Sequence, residues 1–510
     1  DTHPSTLRTD IFRYMIQNAR THGKSEEERK FTAMLKLFDP SSSLPVAERG
    51  KAPVAITSFF VGKPLVLDEK VKAGQIDDYV TPTFYAPNVS WLVQRNGMNS
   101  RHSLMVSLNG SEGNHMHANG ISMELYGKGY VLGPDAGIGK TLYQGLDYLE
   151  YYSQFPSHNT VCVDGISSYP VMKSNHSFKL RALYPATGER IPYQPISYSE
   201  VYFREPETFA DQTRLNGIVN VGDSAGYYID IFRSRKVEGG DKMHDYFYHN
   251  LGQQMTLTAA DGSELGLQPT QELAFAGAHL YAYSYIYNKK RAVTSKDVKA
   301  GFTIQMPDKD DITMNLWMKG EEGREIFSAL SPMTEGLSRI KNMPYSIKDQ
   351  PTLTFVARQK GEAWNRPFVA VYEPSTLKEP SCIASVDYPQ VKSEQQGSHV
   401  GIRVALTNGN VDWILSSDEN AHHCKLEKLQ ARAGYALCRQ SEKGEALQAF
   451  LGNGTQLEAD GVSIRTDAPA DVLLLKQDGK WMYTATAPCR VVVGKKKYTL
   501  SVSKELRLLK

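Results

Sequence analysis

Two histidines separated by one residue are the feature of this 510-residue sequence with the clearest potential for chemistry. They lie in the segment Asn114-His115-Met116-His117. In a β-strand alternate side chains point to the same face, so both imidazoles would share one face of a strand that continues to Leu125. Buried imidazoles need polar partners, and a metal ion can satisfy two of them together. The spacing therefore indicates a metal site.

Two residues further along the chain could complete the coordination of that ion. Asp135 follows a predicted hairpin turn at 127–129 and a short strand, which returns the chain beside the histidines, and His158 begins the predicted strand at 158–165. Two imidazoles and one carboxylate suit zinc, with water in a fourth position. The same spacing also fits two ordinary sheet histidines, with turn and cap roles for Asp135 and His158. A bulge at Gly120 would change the face on which the histidines lie.

The elements that position these residues are predicted to be mainly β-strands. Helical periodicity is confined to the first 38 residues, where we expect two helices, the second with a capping box formed by Ser25 and Glu28. A Pro- and Ser-rich linker at 39–53 should follow. Beyond it, short alternating segments separated by Gly, Asn and Asp predict antiparallel sheets.

The predicted architecture is a large antiparallel β-sandwich with a short helical segment before it and a smaller β module after it. We place the helical segment and linker at 1–50, the sandwich with the metal site at 51–345, and the C-terminal β module at 346–510. The last boundary depends on the polar composition near 336–350 alone. Two helices with one apolar stripe each cannot bury these stripes against one another and also close a domain. This suggests that they end a larger helical unit.

Charge and composition exclude several classes of partner. The chain has 58 basic and 56 acidic side chains, a formal charge of +2, which provides no electrostatic excess for nucleic acid. No apolar run approaches the length of a membrane span. The 5 cysteines are odd in number and lack C-x-x-C spacing, so neither a disulfide framework nor a thiolate zinc cluster is indicated.

The segments GNHMHANGISMELYGKGYVLGPDAG (113–137) and FPSHNTVCVDG (155–165) resemble the C-terminal β-sheet region of the heparinase II/III-like polysaccharide lyases. Weaker similarity extends from Trp91 to Pro374. The sequence departs from the family at Asn119, where an Asp is common. The resemblance implies a super-sandwich fold and an N-terminal α/α toroid, of which only the last helices are found here. It also implies a periplasmic or secreted location.

The resemblance implies a division of labour among the candidate residues. A zinc ion of structural type would be held by His117, Asp135 and His158, while Asn114 and His115 face the substrate cleft. The reaction would be β-elimination at a uronic acid of a polysaccharide: the C5 proton is removed and the O4 group departs. Three tasks follow, namely carboxylate neutralisation, proton abstraction and protonation of O4.

Each of these tasks has a candidate in the sequence. Asn114 offers an amide to the carboxylate, and His115 is the candidate base or carboxylate donor. Family members place a cleft tyrosine in the loop between Asp135 and His158, and Tyr148 is the candidate there. This chain would then supply the β-domain half of an active site.

Two other functions remain open from the sequence. A cupin-like metal enzyme also combines H-x-H with a carboxylate and a later histidine, although Glu124 lies further along than that arrangement requires. A non-catalytic β-sandwich that binds glycans or scaffolds a catalytic partner is the second alternative.

Overall fold

The computed structural model describes residues 9–39, 65–75, 78–96, 104–114, 116–137, 139, 146–167, 173–188, 194–222, 225–274, 281–334 and 350–510. It divides into two compact units, Pro4–Thr81 and Pro82–Lys510. The predicted boundary near residue 50 and the predicted linker beyond Asp39 lie outside the described residues. The candidate site belongs to the second unit.

The two predicted helices are present in the first unit as α1 (Thr9–Thr21) and α2 (Ser25–Phe38). Their apolar stripes pack against each other, since Phe12 and Phe38 stack with ring centroids 5.9 Å apart. The predicted capping box is wrong, because Ser25 lies within α2 and no side chain caps the helix at its N-terminus. Among the described residues, no helix combines the length and apolar character needed to cross a membrane.

The second unit is built from antiparallel strands, in agreement with the predicted fold class. The first strands in chain order are β1 (Thr83–Ala86), β2 (Trp91–Asn96), β3 (Leu104–Asn109), β4 (Ser111–Asn114), β5 (Ser122–Gly127), β6 (Tyr130–Gly133), β7 (Val161–Val163), β8 (Lys173–His176) and β9 (Lys179–Tyr184). Strands β1, β2, β3, β5 and β6 form a five-stranded sheet in that order, and β4 pairs with β8.

The sandwich continues through twelve further strands. They are β10 (Ile196–Arg204), β11 (Ala210–Asn220), β12 (Gly226–Lys236), β13 (Met243–Asn250), β14 (Gln254–Ala259), β15 (Gln268–Pro269), β16 (Tyr287–Thr294), β17 (Val298–Ile304), β18 (Ile312–Met318), β19 (Arg324–Ser331), β20 (Thr352–Lys360) and β21 (Ala363–Ser375). The eight-stranded sheet has the order β14-β17-β18-β21-β12-β11-β10-β9, and the six-stranded sheet has the order β15-β16-β19-β20-β13-β7.

The remaining strands belong to a single twelve-stranded sheet. They are β22 (Ile383–Asp387), β23 (Lys392–Ser393), β24 (His399–Leu406), β25 (Val411–Ser417), β26 (Cys424–Leu426), β27 (Leu429–Gln440), β28 (Ala446–Ala459), β29 (Val462–Gln477), β30 (Lys480–Ala485), β31 (Cys489–Val493), β32 (Lys496–Leu500) and β33 (Ser503–Leu508).

The eight-stranded sheet is buried on both faces. Along β12, Tyr228 and Phe232 join a core shared with the five- and six-stranded sheets, while Ile229 and Ile231 face a second core shared with the twelve-stranded sheet. This alternation follows from the two-residue period of a strand. The five-stranded sheet contributes one apolar face to the first core, and the candidate site lies at its end.

The sandwich extends beyond the predicted boundary at 345. β20 belongs to the six-stranded sheet and β21 to the eight-stranded sheet, so the C-terminal module begins only with β22. The polar segment used to place the boundary lies outside the described residues except for Gln350. Composition alone could not identify the two strands that follow it as members of the earlier sheets. All 5 cysteines are described, buried and free of disulfides.

Candidate metal centre and adjoining cavity

The segment that carries the two histidines is a loop rather than the continuous strand predicted from its spacing. β4 ends at Asn114 and β5 begins at Ser122. Gly120 lies between them with φ +55°, and a Cβ there would stand 2.6 Å from Cε1 of Phe155. Gly120 thus has a left-handed backbone conformation that glycine readily adopts, within the segment that separates the two strands. His117 lies in this loop, His115 lies outside the described residues, and so does the side chain of Asn114.

The other two predicted ligands also come from chain segments between strands. The predicted hairpin turn is present between β5 and β6, with positive φ at Lys128 and Gly129. β6 ends at Gly133, and Asp135 follows two residues later. His158 ends a single 3₁₀ turn, Phe155–Ser157, and precedes β7.

The structure brings the three predicted metal ligands together. His117, Asp135 and His158 each offer a ligand atom, and these atoms lie within 4.8 Å of one another. The rings of His117 and His158 are 5.4 Å apart between centroids. Among the described residues, this is the cluster of histidine, cysteine and carboxylate side chains that could hold a metal ion.

Hydrogen bonding in the cluster fits a metal-binding role. Nδ1 of His158 lies 2.8 Å from Oδ2 of Asp135, and Oδ1 of Asp135 accepts from the backbone N–H of Gly137 at 2.9 Å. His158 is fully buried, and its Nε2 has no hydrogen-bond partner among the described residues. A buried polar nitrogen without a partner is costly, and a metal ion would remove that cost.

The protonation states also suit coordination. Burial, followed by the charge of the neighbouring His158 ring, lowers the pKa of the His117 imidazole to about 3. Burial by itself would raise the pKa of the Asp135 carboxyl, but positive charge nearby and the hydrogen bond with His158 hold that pKa well below its usual value. At neutral pH the cluster offers a neutral imidazole and a carboxylate, the forms that bind metals.

Asn159, the residue after His158, ties the three ligand segments together. Its Nδ2 donates to the carbonyl oxygens of Met123 at 2.9 Å and of Pro134 at 3.2 Å. Its Oδ1 accepts from the backbone N–H of His249 at 2.6 Å. Since Asn159 is fully buried, these bonds exclude water and fix the position of its neighbour in the chain.

A buried arginine reinforces the same junction. Nη1 of Arg214, on β11, donates to the carbonyl oxygens of Ile121 at 2.7 Å and Asn159 at 2.6 Å. The other side of its guanidinium forms a two-bond ion pair with Asp230 of β12, at 2.8 and 2.7 Å. Asn159 and Arg214 were not predicted from the sequence as residues of the site. For Arg214 the available signal was the sequence of β11 and β12, two apolar strands that each carry a charged residue, Arg214 and Asp230, at an inward-facing position.

Tyr148 lies beside the cluster but not at a surface. Its ring centroid is 5.5 Å from that of His117, and its side chain is fully buried in a core that includes Tyr151 and Phe155. A tyrosine that transfers a proton to a polysaccharide must reach solvent, and Tyr148 has no exposed surface to do so. In this structure it packs against a predicted metal ligand instead of facing a cleft.

A cavity of about 850 Å³ adjoins the cluster. His117 and Asp135 form part of its wall, and the outer face of the five-stranded sheet forms its floor. His158 is buried behind them. The arrangement therefore places the candidate metal centre at the edge of a space large enough for a bound molecule.

The chain is related in sequence to a protein named as a lyase. The chain is 26% identical over 487 residues to an endo-acting ulvan lyase from Formosa agariphila, a match that covers 90% of this chain. The chain is a relative of this polysaccharide lyase. The motifs at 113–137 and 155–165 predicted this relationship, which is now confirmed. The chain spans 57% of the length of that relative. No family model matches the chain.

Three solved structures match this chain with TM-scores of 0.40 or less. A heparinase III gene product matches with a TM-score of 0.40 and 12% identity, covering 78% of this chain and 46% of that one. A heparan sulfate lyase HepC mutant from Pedobacter heparinus matches with a TM-score of 0.36 and 12% identity, covering 80% and 47%. A chondroitinase AC lyase matches with a TM-score of 0.33 and 10% identity, covering 82% and 51%.

Proposed function

We propose that this chain is the β-domain half of a polysaccharide lyase that cleaves uronate-containing glycans by β-elimination. The observation that carries the proposal is the convergence of His117, Asp135 and His158 at the wall of a large cavity, in a chain related over most of its length to a lyase. The proposed partner is an acidic polysaccharide or oligosaccharide. A helical toroid from the same protein would supply the other half of the site.

We propose zinc as the metal at this cluster. Two imidazoles and one carboxylate match its preferred ligands, and a bound zinc ion would hold the three segments together. The ion is assigned a structural role, so the proton transfers belong to side chains. The unpartnered Nε2 of buried His158 supports the assignment.

The chemical tasks are assigned to the residues next to the cluster in sequence. The Asn114 amide would donate hydrogen bonds to the uronate carboxylate as negative charge develops at C5. His115 would accept the C5 proton or donate to that carboxylate. The buried position of Tyr148 argues against a proton donor at that residue, so protonation of O4 is assigned to a group from the helical half.

A spectroscopic assay separates this function from the alternatives. β-Elimination creates a C4–C5 double bond conjugated to the carboxylate, so ultraviolet absorbance should increase as uronate glycans are cleaved. New reducing ends without that absorbance would indicate a hydrolase. Glycan binding without any product would support the non-catalytic sandwich. The assay needs the full-length protein, since this chain spans 57% of its characterised relative.

The cupin-like alternative is disfavoured by the site itself. That arrangement requires Glu124 as the carboxylate ligand, whereas the described cluster uses Asp135. Glu124 instead accepts a hydrogen bond from Nδ2 of Asn109 at 2.8 Å.

The proposed periplasmic or secreted location follows from the family resemblance.

A further inference from the structure

The floor of the cavity carries a second set of side chains that the metal cluster does not use. Because alternate residues of a strand share a face, Trp91 and Arg95 of β2 both line the cavity, as do Ser107 and Asn109 of β3. Across the sheet, Ser107 pairs in register with Glu124 of β5, which lines the same floor.

One end of the floor presents exposed aromatic rings. Trp91 is 44% exposed, and it contacts the 43% exposed ring of Phe84 edge to face, with centroids 5.4 Å apart. The indole Nε1 donates to Oγ of Ser107 at 2.8 Å, which fixes the plane of the ring. An oriented, exposed aromatic surface inside a cavity is suited to the apolar face of a sugar ring.

A line of hydrogen bonds extends from the tryptophan across the floor. Oγ of Ser107 donates to Oδ1 of Asn109 at 3.1 Å, and Nδ2 of Asn109 donates to Oε1 of Glu124 at 2.8 Å. These groups hold one another in place and retain free lone pairs. They therefore provide polar contacts for hydroxyl groups beside the aromatic surface.

Arg95 at the other end of the floor is a partly buried cation that has no counter-ion among the described residues. No ion pair or side-chain hydrogen bond links its guanidinium to another described residue, and its buried Nε has no partner. Burial lowers the pKa of Arg95, as expected for a charge that no nearby carboxylate compensates. A guanidinium in this position favours a planar or tetrahedral anion that can accept two of its N–H groups.

We propose that this cavity binds an acidic oligosaccharide, with a sugar ring stacked on Trp91 and an anionic substituent held by Arg95. The two residues are four positions apart on one strand face, about 13 Å, so the ring and the anion belong to different sugar units. The anion is a carboxylate or a sulfate ester, which share the required geometry. An apolar protein segment on this floor would leave the charge of Arg95 uncompensated.

The inference rests on the proposed function for the glycan nature of the ligand, and binding can be tested without turnover. The probes are an unsulfated uronate oligosaccharide, a sulfated neutral oligosaccharide and an uncharged oligosaccharide, each titrated calorimetrically into the full chain. The variants are Arg95→Gln, Arg95→Lys and Trp91→Ala. Arg403→Gln is the matched control, because Arg403 also lies on a strand near a tryptophan but outside the cavity.

We expect Arg95→Gln to weaken binding of an acidic probe about tenfold or more, without weakening the uncharged probe. If Arg95→Gln weakens binding of the uronate probe, the anion is a carboxylate; if it weakens binding of the sulfated probe, the anion is a sulfate ester. Arg95→Lys should retain part of the affinity for the acidic probe. Trp91→Ala should lower the affinity for every probe that binds, and Arg403→Gln should change none of these affinities. If Arg95→Gln does not fold, the Trp91→Ala variant tests the proposal instead. Affinity for the acidic probe that is unchanged in Trp91→Ala would overturn it.

Failure of this inference is distinguishable from failure of the proposed function. Binding that depends on Arg95, in a protein without lyase activity, supports the subsite and rejects the lyase. Lyase activity together with acidic-probe affinity that is equal in wild type and Arg95→Gln rejects the subsite alone. Absence of binding of either acidic probe to the wild-type chain also overturns the inference.

Discussion

At the residue scale, the candidate site separates the proposed metal ligands from the residues assigned to catalysis. His117, Asp135 and His158 come together within the described structure, whereas the roles of Asn114 and His115 follow from the family resemblance. This separation is testable because His115 and His117 are two positions apart in the sequence. Substitution of each should produce a different defect.

We expect His115→Ala in the full-length protein to retain stoichiometric zinc and to lose activity by about 10²- to 10⁴-fold, the contribution of a positioned proton-transfer group. The measurement combines metal analysis with the initial rate of ultraviolet absorbance increase. The unfolding midpoint should stay close to that of the wild type. Loss of zinc together with activity would show that His115 is a ligand and would reject the division of roles.

At the element scale, the candidate metal centre depends on how three loops are held rather than on a single strand. Arg214 and Asn159 connect the loop before β5 to the segment before β7, and Asn159 also reaches the segment that carries Asp135. These hydrogen bonds hold the backbone next to the three residues of the cluster. A change there should affect metal affinity from a distance.

We expect Arg214→Met to lower the free energy of unfolding by about 3–5 kcal/mol, because it leaves Asp230 buried without its partner. Zinc affinity should also decrease about 10- to 100-fold, since two backbone contacts beside the ligands are lost. Competition titration with a chelator measures the affinity, and chemical denaturation measures the stability.

The control for that variant is Arg439→Met. Arg439 pairs with Asp412 at 2.6 and 2.7 Å in the C-terminal sheet, and the pair is similarly buried. We expect a similar loss of stability in this variant with no change in zinc affinity. Equal zinc affinity in the two variants would contradict a positioning role for Arg214.

Gly120 provides a second test at the element scale. An alanine there would combine a positive φ with a Cβ 2.6 Å from the Phe155 ring, so we expect Gly120→Ala to cost about 2–4 kcal/mol of unfolding free energy. In Gly479→Ala the φ is +74° and nothing lies within 4 Å, so the cost should be about 1–2 kcal/mol. Thermal denaturation compares them, and equal losses would show that the contact with Phe155 is unimportant.

Sequence patterns predicted the strands and the three residues of the cluster better than the shape of the loops between the strands. Alternation identified β3, β5 and β7, and the turn residues identified the hairpin between β5 and β6, because both signals are local. The histidine segment was predicted as a strand because a strand places His115 and His117 on one face. The close approach of Phe155 to Gly120 joins residues 35 positions apart and has no local signal.

At the scale of the whole molecule, the unit Pro82–Lys510 contains all three predicted ligands and three packed layers of sheet. Its first core holds the five-stranded sheet against the sandwich, so the site is built on a large buried framework. Two further buried histidines, His176 and His249, lie in this framework, and burial followed by the charge of His158 lowers the pKa of each to about 3.

These buried histidines predict how stability depends on pH. Between pH of about 6.5 and 3 the unfolded chain binds protons at these positions and the folded chain does not, so stability should decrease as the pH falls through that range. Each histidine contributes about 1.4 kcal/mol per pH unit. Denaturation of the metal-free protein at several pH values measures the slope, and His249→Gln should make it shallower. A slope unchanged by that substitution would contradict protonation of His249 on unfolding.

The most direct test of the account is the zinc content and metal coordination of the purified chain. We predict one zinc ion per chain, with X-ray absorption indicating two nitrogen ligands from histidine and oxygen ligands from a carboxylate and water. His117→Ala and His158→Ala should each abolish stoichiometric zinc, while the exposed-site control His22→Ala should keep it. A wild-type chain without bound metal, or zinc retained in both ligand variants, would contradict the central claim.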